Sequence, residues 1–135
     1  MAKDKPRCGG QWTEARYNSF IKSLLRKGRW GPKYEALRNA RVSRGVYKCA
    51  NCGTEGPKTL PPLEGRKRRR NNAAVDHINP VVDPAIGFVD WDTVIERLFC
   101  EVEGFQVLCW ACHHEKTNEE RAIATARRRK EKEEG

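Results

Sequence analysis

The sequence predicts a single α+β domain reinforced by a metal, and three observations carry that prediction. Two Cys-x-x-Cys pairs, Cys49-Ala50-Asn51-Cys52 and Cys109-Trp110-Ala111-Cys112, stand far apart in the chain yet share one spacing. Several segments place apolar residues at helical intervals, while short runs rich in β-branched residues lie beside or between the cysteine pairs. Only 38% of the 135 residues are hydrophobic, which suits one domain with a modest core.

Taken in order, residues Met1 to Gln11 have the composition of a mobile basic arm, and Cys8 within it reads as a free thiol. Tyr17, Phe20, Ile21, Leu24 and Leu25 then fall at i, i+3, i+4, i+7 and i+8, the stripe of an amphipathic helix. Thr13 is placed to cap this helix, Trp12 and Tyr17 to staple its start, and Gly28 to end it. Pro32 suits the first turn of a second helix, with Tyr34, Leu37 and Ala40 on its buried side and Lys33, Arg38, Arg41 and Arg44 outside. Both helices read equally well as a module positioning a partner and as a lid over a small core, because periodicity reports packing alone. Residues 1–45 thus form a basic arm and helical extension. Residues 46–135 form the principal domain with a helical tail.

Val46-Tyr47-Lys48 predicts a strand running into the first cysteine pair. The stretch from Gly56 to Asn72 is rich in proline, glycine and charge and reads as a loop. It ends in Arg66-Lys67-Arg68-Arg69-Arg70, whose adjacent cations repel one another unless an anion relieves them. Phosphate contact is therefore favoured over a solvated loop or a localisation signal. Ala73 to Ile78 predicts a strand carrying Asp76 and His77, and Asn79-Pro80 a turn. Asp90 can cap a helix bearing Trp91, Val94, Ile95, Leu98 and Phe99 on one face, which assigns Asp90 and Asp92 to the helix start. Cys100, at its end, reads as a buried or free thiol. Phe105 to Leu108 predicts a strand into Cys109, His113 to Lys130 a long helix, and Glu131 to Gly135 a frayed end.

The charge balance narrows the partners. With 27 basic against 18 acidic residues the net charge is +9 and the pI near 9.5, and the positive charge is clustered. Nucleic acid is the commonest partner of such a surface. The sequence offers no apolar run long enough to span a membrane and no secretory leader, so an intracellular protein is expected. In that reducing setting the paired cysteines read as metal ligands rather than disulfides.

Zinc takes four tetrahedral sulfur or nitrogen ligands, and Cys49, Cys52, Cys109 and Cys112 supply a closed set. With every position filled by protein, such a zinc is structural. A redox dithiol would use one pair and leave the other unexplained. His113 and His114 follow the last cysteine directly, and Asp76-His77 lies about thirty residues before the second pair. A carboxylate and an imidazole suit a divalent cation that keeps positions for water and a phosphate oxygen, and a neighbouring neutral imidazole can serve as general base.

Val75-Asp76-His77-Ile78-Asn79-Pro80 and Gln106-Val107-Leu108-Cys109-Trp110-Ala111-Cys112-His113-His114-Glu115-Lys116-Thr117 together resemble the HNH nuclease pattern, in particular its zinc-knuckle branch common among small phage-encoded proteins. The likeness spans about residues 46 to 120 and implies a ββα-metal core within residues 46–135 that nicks or cleaves double-stranded DNA. It implies that Asp76 and His113 hold magnesium, with manganese or nickel as substitutes, and that His77 activates water. It also implies the cytoplasm of a phage-infected bacterial host. The middle asparagine of the pattern corresponds to Gly104, and Gln106 or nearby backbone is a possible substitute. Thr117 stands where some members place a further metal-binding histidine, a position that water would fill here. Arg66 to Arg70, Lys116 and Arg121 are expected to contact phosphates, and His114 to meet DNA or solvent. The alternative is a non-catalytic zinc module that binds DNA or serves as an accessory factor, a reading that Gly104 favours. The sequence specifies neither an oligomeric state nor a target sequence.

Overall fold

In the computed structural model, which describes residues 3–135, side-chain caps start two of the four described α-helices. Helix α1, Glu14–Arg26, starts at Thr13, whose hydroxyl accepts the Arg16 N–H. Helix α2, Gly31–Asn39, carries Pro32 in its first turn. Helix α3, Trp91–Leu98, is capped by Asp90, whose Oδ1 accepts the Thr93 N–H at 2.7 Å. Helix α4, Trp110–Glu134, starts on Cys109 and runs almost to the end of the chain, so the fraying expected from Glu131 is not seen.

Among the described residues the strands form three small antiparallel sheets. Strands β1 (Arg41–Ser43), β2 (Val46–Lys48) and β3 (Glu55–Pro57) make the first, β4 (Thr59–Leu60) and β5 (Arg70–Asn71) the second, and β6 (Ala74–His77) with β7 (Phe105–Leu108) the third. The β6–β7 register sets Asp76 opposite Gln106 and His77 opposite Phe105. Opposed residues share a face and consecutive ones alternate. Asp76 and Gln106 therefore leave the face that meets α4, and His77 and Phe105 leave the other.

The core is thin. Val81, Val94 and Leu98 form one cluster with Leu25, Trp91 and Phe99 packed against it, and the hairpin adds Phe105, Val107 and Leu108. Val94 is the largest side chain to be fully buried. Along α1, Phe20 and Leu24 stay about half exposed, so only part of the predicted stripe is covered.

Several expectations change on folding. The N-terminal arm is tied down from Arg7 onward: its guanidinium bonds Glu14 at 3.1 Å and lies 4.1 Å from the Tyr17 ring. Met1 and Ala2 lie outside the described residues. Since Arg7 covers Tyr17, Trp12 instead meets Phe20 edge-on at 5.3 Å. In α2 the buried residue is Ala36, while Tyr34 is exposed. Arg41 belongs to β1 and Arg44 to the turn before Gly45, whose φ of 71° suits glycine. Position 45 is thus the middle of a hairpin, and the helical extension continues into the first sheet. The stretch read as one loop from Gly56 to Asn72 holds β4, β5 and most of β3, because backbone pairing does not need apolar side chains.

The β6–β7 connection closes through Ile78 N–H, which donates to the Gly104 carbonyl at 2.9 Å. A Cβ at Gly104 would lie 2.6 Å from Cys100 Sγ. Gly104→Ala is expected to lower stability by about 1–3 kcal/mol in denaturant unfolding, the range for overpacking. Adding Cys100→Ala should recover part of that loss. Unchanged stability in the single variant would contradict the close approach.

Candidate functional site

The four cysteines converge. Cys49 follows β2, Cys52 sits in the turn before β3, and Cys109 and Cys112 begin α4. Their sulfurs all lie within 4.8 Å of one another, and Cys52 Sγ stands 3.8 Å from Cys109 Sγ. Four zinc–sulfur bonds of about 2.3 Å in a tetrahedron separate the sulfurs by about 3.8 Å, so the set fits zinc. Gly53, at φ 75°, turns the chain after Cys52. Asn51 Nδ2 donates to Cys112 Sγ at 3.3 Å and Ala50 N–H to the Val107 carbonyl at 2.8 Å, locking the first pair onto the second. Hydrogen bonding to Thr54 pulls the Cys52 thiol down to about 6, whereas burial pushes the Cys109 thiol up to about 12. A cation that binds thiolates relieves that mismatch by holding all four deprotonated.

A second polar cluster lies one residue past the sulfurs. Asp76 reaches from β6 toward α4, with its side chain 16% exposed. Its Oδ2 accepts from Gln106 Nε2 at 3.0 Å and from Lys116 Nζ, which also donates to the His77 carbonyl at 2.9 Å. Its Oδ1 faces His113 Nε2 at 3.8 Å. That separation is too long for a hydrogen bond. It is within the span that two ligands, each at about 2.0–2.2 Å, can share across one cation. With Oδ2 engaged, Oδ1 and the His113 nitrogen form a donor pair suited to a divalent cation.

Three assignments from the sequence look different in place. Lys116, expected on a phosphate, turns inward onto Asp76. Its position, one helical turn beyond His113, is the signal that could have placed it there. Gln106, considered as a substitute for the middle asparagine of the pattern, bonds the Asp76 carboxylate rather than the backbone near Gly104. His77 is not brought into the Asp76–His113 group. Its Nε2 lies 3.0 Å from the Leu98 carbonyl and its ring 4.8 Å from Phe105.

His114 stacks on Trp110 at 4.7 Å, and Arg70 lies over the same indole at 4.5 Å. Thr117 is partly buried and makes no hydrogen bond through its side chain among the described residues. Within the arginine run, Arg66, Lys67 and Arg68 are exposed, Arg69 Nε donates to Thr59 Oγ1, and Arg70 Nε to the Pro61 carbonyl. Arg121 is exposed on α4. Nothing in the sequence singles out Asn72, whose Oδ1 accepts the Trp110 N–H at 2.9 Å and so joins the end of the basic run to the start of α4. Among the described residues no helix is long and apolar enough to cross a membrane.

Comparison with protein-family models, with curated proteins and with solved structures finds no match.

Structural zinc contributes about 10–16 kcal/mol in small finger peptides, comparable to the whole stability of a domain. Cys112→Ser, or stripping the metal with a strong chelator, is therefore expected to abolish the cooperative thermal transition. Metal analysis of the wild type should find one zinc per chain. A cooperatively folded protein with no bound metal would remove zinc from the fold.

Proposed function

We propose that the chain is a metal-dependent DNA endonuclease of the HNH type, hydrolysing phosphodiester bonds. The observation that supports this most is the pairing of Asp76 Oδ1 with His113 Nε2 at 3.8 Å, while the other carboxylate oxygen is fixed by Gln106 and Lys116. Beside it stand a hairpin followed by a helix, a basic surface and a four-sulfur cluster that holds the start of that helix.

Asp76 and His113 would hold magnesium, with manganese or nickel as substitutes, and the ion when bound stabilises charge developing on the phosphate. Gln106 and Lys116 keep the carboxylate turned toward His113, as outer residues do for metal ligands. A carbonyl only accepts hydrogen bonds, so the contact with Leu98 puts the His77 proton on Nε2. That leaves Nδ1 unprotonated and able to take a proton from water, with the Leu98 carbonyl steadying the imidazolium that results. His77 and Asp76 leave opposite faces of β6, so the phosphate must be reached where the strand ends, at exposed Ile78. As the HNH resemblance implies, water attacks phosphorus as His77 takes its proton, the P–O3′ bond breaks and the departing oxygen takes a proton from solvent, which would leave a 3′ hydroxyl and a 5′ phosphate.

Nicking of supercoiled plasmid tests the reading. With magnesium or manganese the wild type is expected to nick, and His77→Ala to slow the reaction by about 10²–10⁴-fold without loss of zinc. Gln106→Ala is expected to weaken divalent binding by about 10–100-fold, measured by manganese titration. A wild type that shifts DNA but nicks under none of magnesium, manganese or nickel would instead identify a non-catalytic zinc module.

A further inference from the structure

We propose that the cleft between α2 and the β4–β5 hairpin, ending at His113, binds the phosphodiester backbone of a nucleic acid. The identity of the polyanion rests on the endonuclease reading; the anion-binding character rests on the cleft. About 460 Å³ in volume, it is walled by Lys33 and Tyr34 from α2, Lys58 from the link between β3 and β4, and Arg69 beside β5. Ala74 and His113 line it where it meets the hairpin and α4.

Its charge is one-sided. No Asp or Glu lines the cleft, and among the described residues Lys33, Lys58 and Arg69 have no carboxylate within ion-pair distance. Elsewhere Arg7, Lys116 and Arg127 do pair with acids, so the lack of partners here is local. Thr59 holds only the Nε of Arg69, leaving the outer guanidinium nitrogens to donate elsewhere. Arg29, outside the cleft lining, lies 4.6 Å from the ring of Tyr34, which does line it. Cations drawn from separate segments into one cleft repel one another, and an extended anion removes that cost at every position. An extended backbone suits them better than a single phosphate because the cations sit on facing walls from three chain segments. Position adds direction: a strand lying in the cleft would lead its phosphates to His113.

The test is anisotropy of a labelled random-sequence duplex over a salt series, without added divalent cation. The triple variant Lys33→Gln, Lys58→Gln, Arg69→Gln should flatten the plot of log affinity against log salt by about 0.9 for each phosphate it no longer neutralises. A charge-matched control, Arg128→Gln, Lys130→Gln, Lys132→Gln, removes as many exposed cations from the far part of α4. A greater flattening in the cleft variant than in the control, with zinc content and circular dichroism unchanged, supports the proposal. Equal slopes, no binding by the wild type, or displacement of the duplex by pyrophosphate at matched ionic strength overturns it. Should the triple variant lose zinc, the single changes at exposed Lys33 and Lys58 decide by the same criterion. A wild type that nicks plasmid while the cleft variant keeps its full slope sinks the cleft alone. A wild type that never nicks, with flattening confined to the cleft variant, sinks the endonuclease reading alone.

Discussion

Convergence of four sulfurs on one point is the constraint on which the rest of the molecule depends. It joins the turn between β2 and β3 to the junction of β7 with α4, two segments separated by more than fifty residues. Beside it, only the Ala50–Val107 and Asn51–Cys112 hydrogen bonds are described between these segments. Apart from Ala36 and Cys49 itself, the buried apolar residues lie in and beside the β6–β7 hairpin and under α3. A cation held by the sulfurs would fix the first turn of α4, and His113 belongs to that turn. The polar cluster thus inherits its precision from the cysteines, through a helix whose start cannot shift.

Asp76 illustrates a trade between orientation and affinity. Its Oδ2 is held by an amide and an ammonium, so Oδ1 has a defined direction toward His113. The same ammonium repels any second cation that approaches the carboxylate. Were a divalent ion to bind here, it would be held less tightly than by a bare pair of ligands, but in one geometry. A further bond from Lys116 to the His77 carbonyl ties the same ammonium to the end of β6.

Much of this is legible in the sequence. Spacing alone identifies the four cysteines, because a tetrahedral ion needs two close pairs and the fold needs only to bring them together. Thr13 and Asp90 announce their helices because capping is local. What escapes is set by partners distant in the chain. Lys116 looks like one more surface cation until β6 places Asp76 beside it, and the alternation of β6 sends His77 to Leu98, a contact visible only once α3 is docked. Arg41 and the stretch from Gly56 to Asn72 are easily misread because short polar strands pair through the backbone and leave no apolar pattern.

The N-terminal helices are the part whose purpose periodicity could not decide, and geometry changes that question. Helix α2 packs on both strands of the β6–β7 hairpin, and Trp30, just before it, donates through its indole nitrogen to the Cys100 carbonyl at 2.6 Å. It is a wall of the domain rather than an attachment. Its buried side is narrow, reduced to Ala36, because a small residue lets the helix lie close to the sheet. That close seating brings Lys33 and Tyr34 level with His113 in one cleft. Covering the core and lining the cleft are then consequences of a single packing contact.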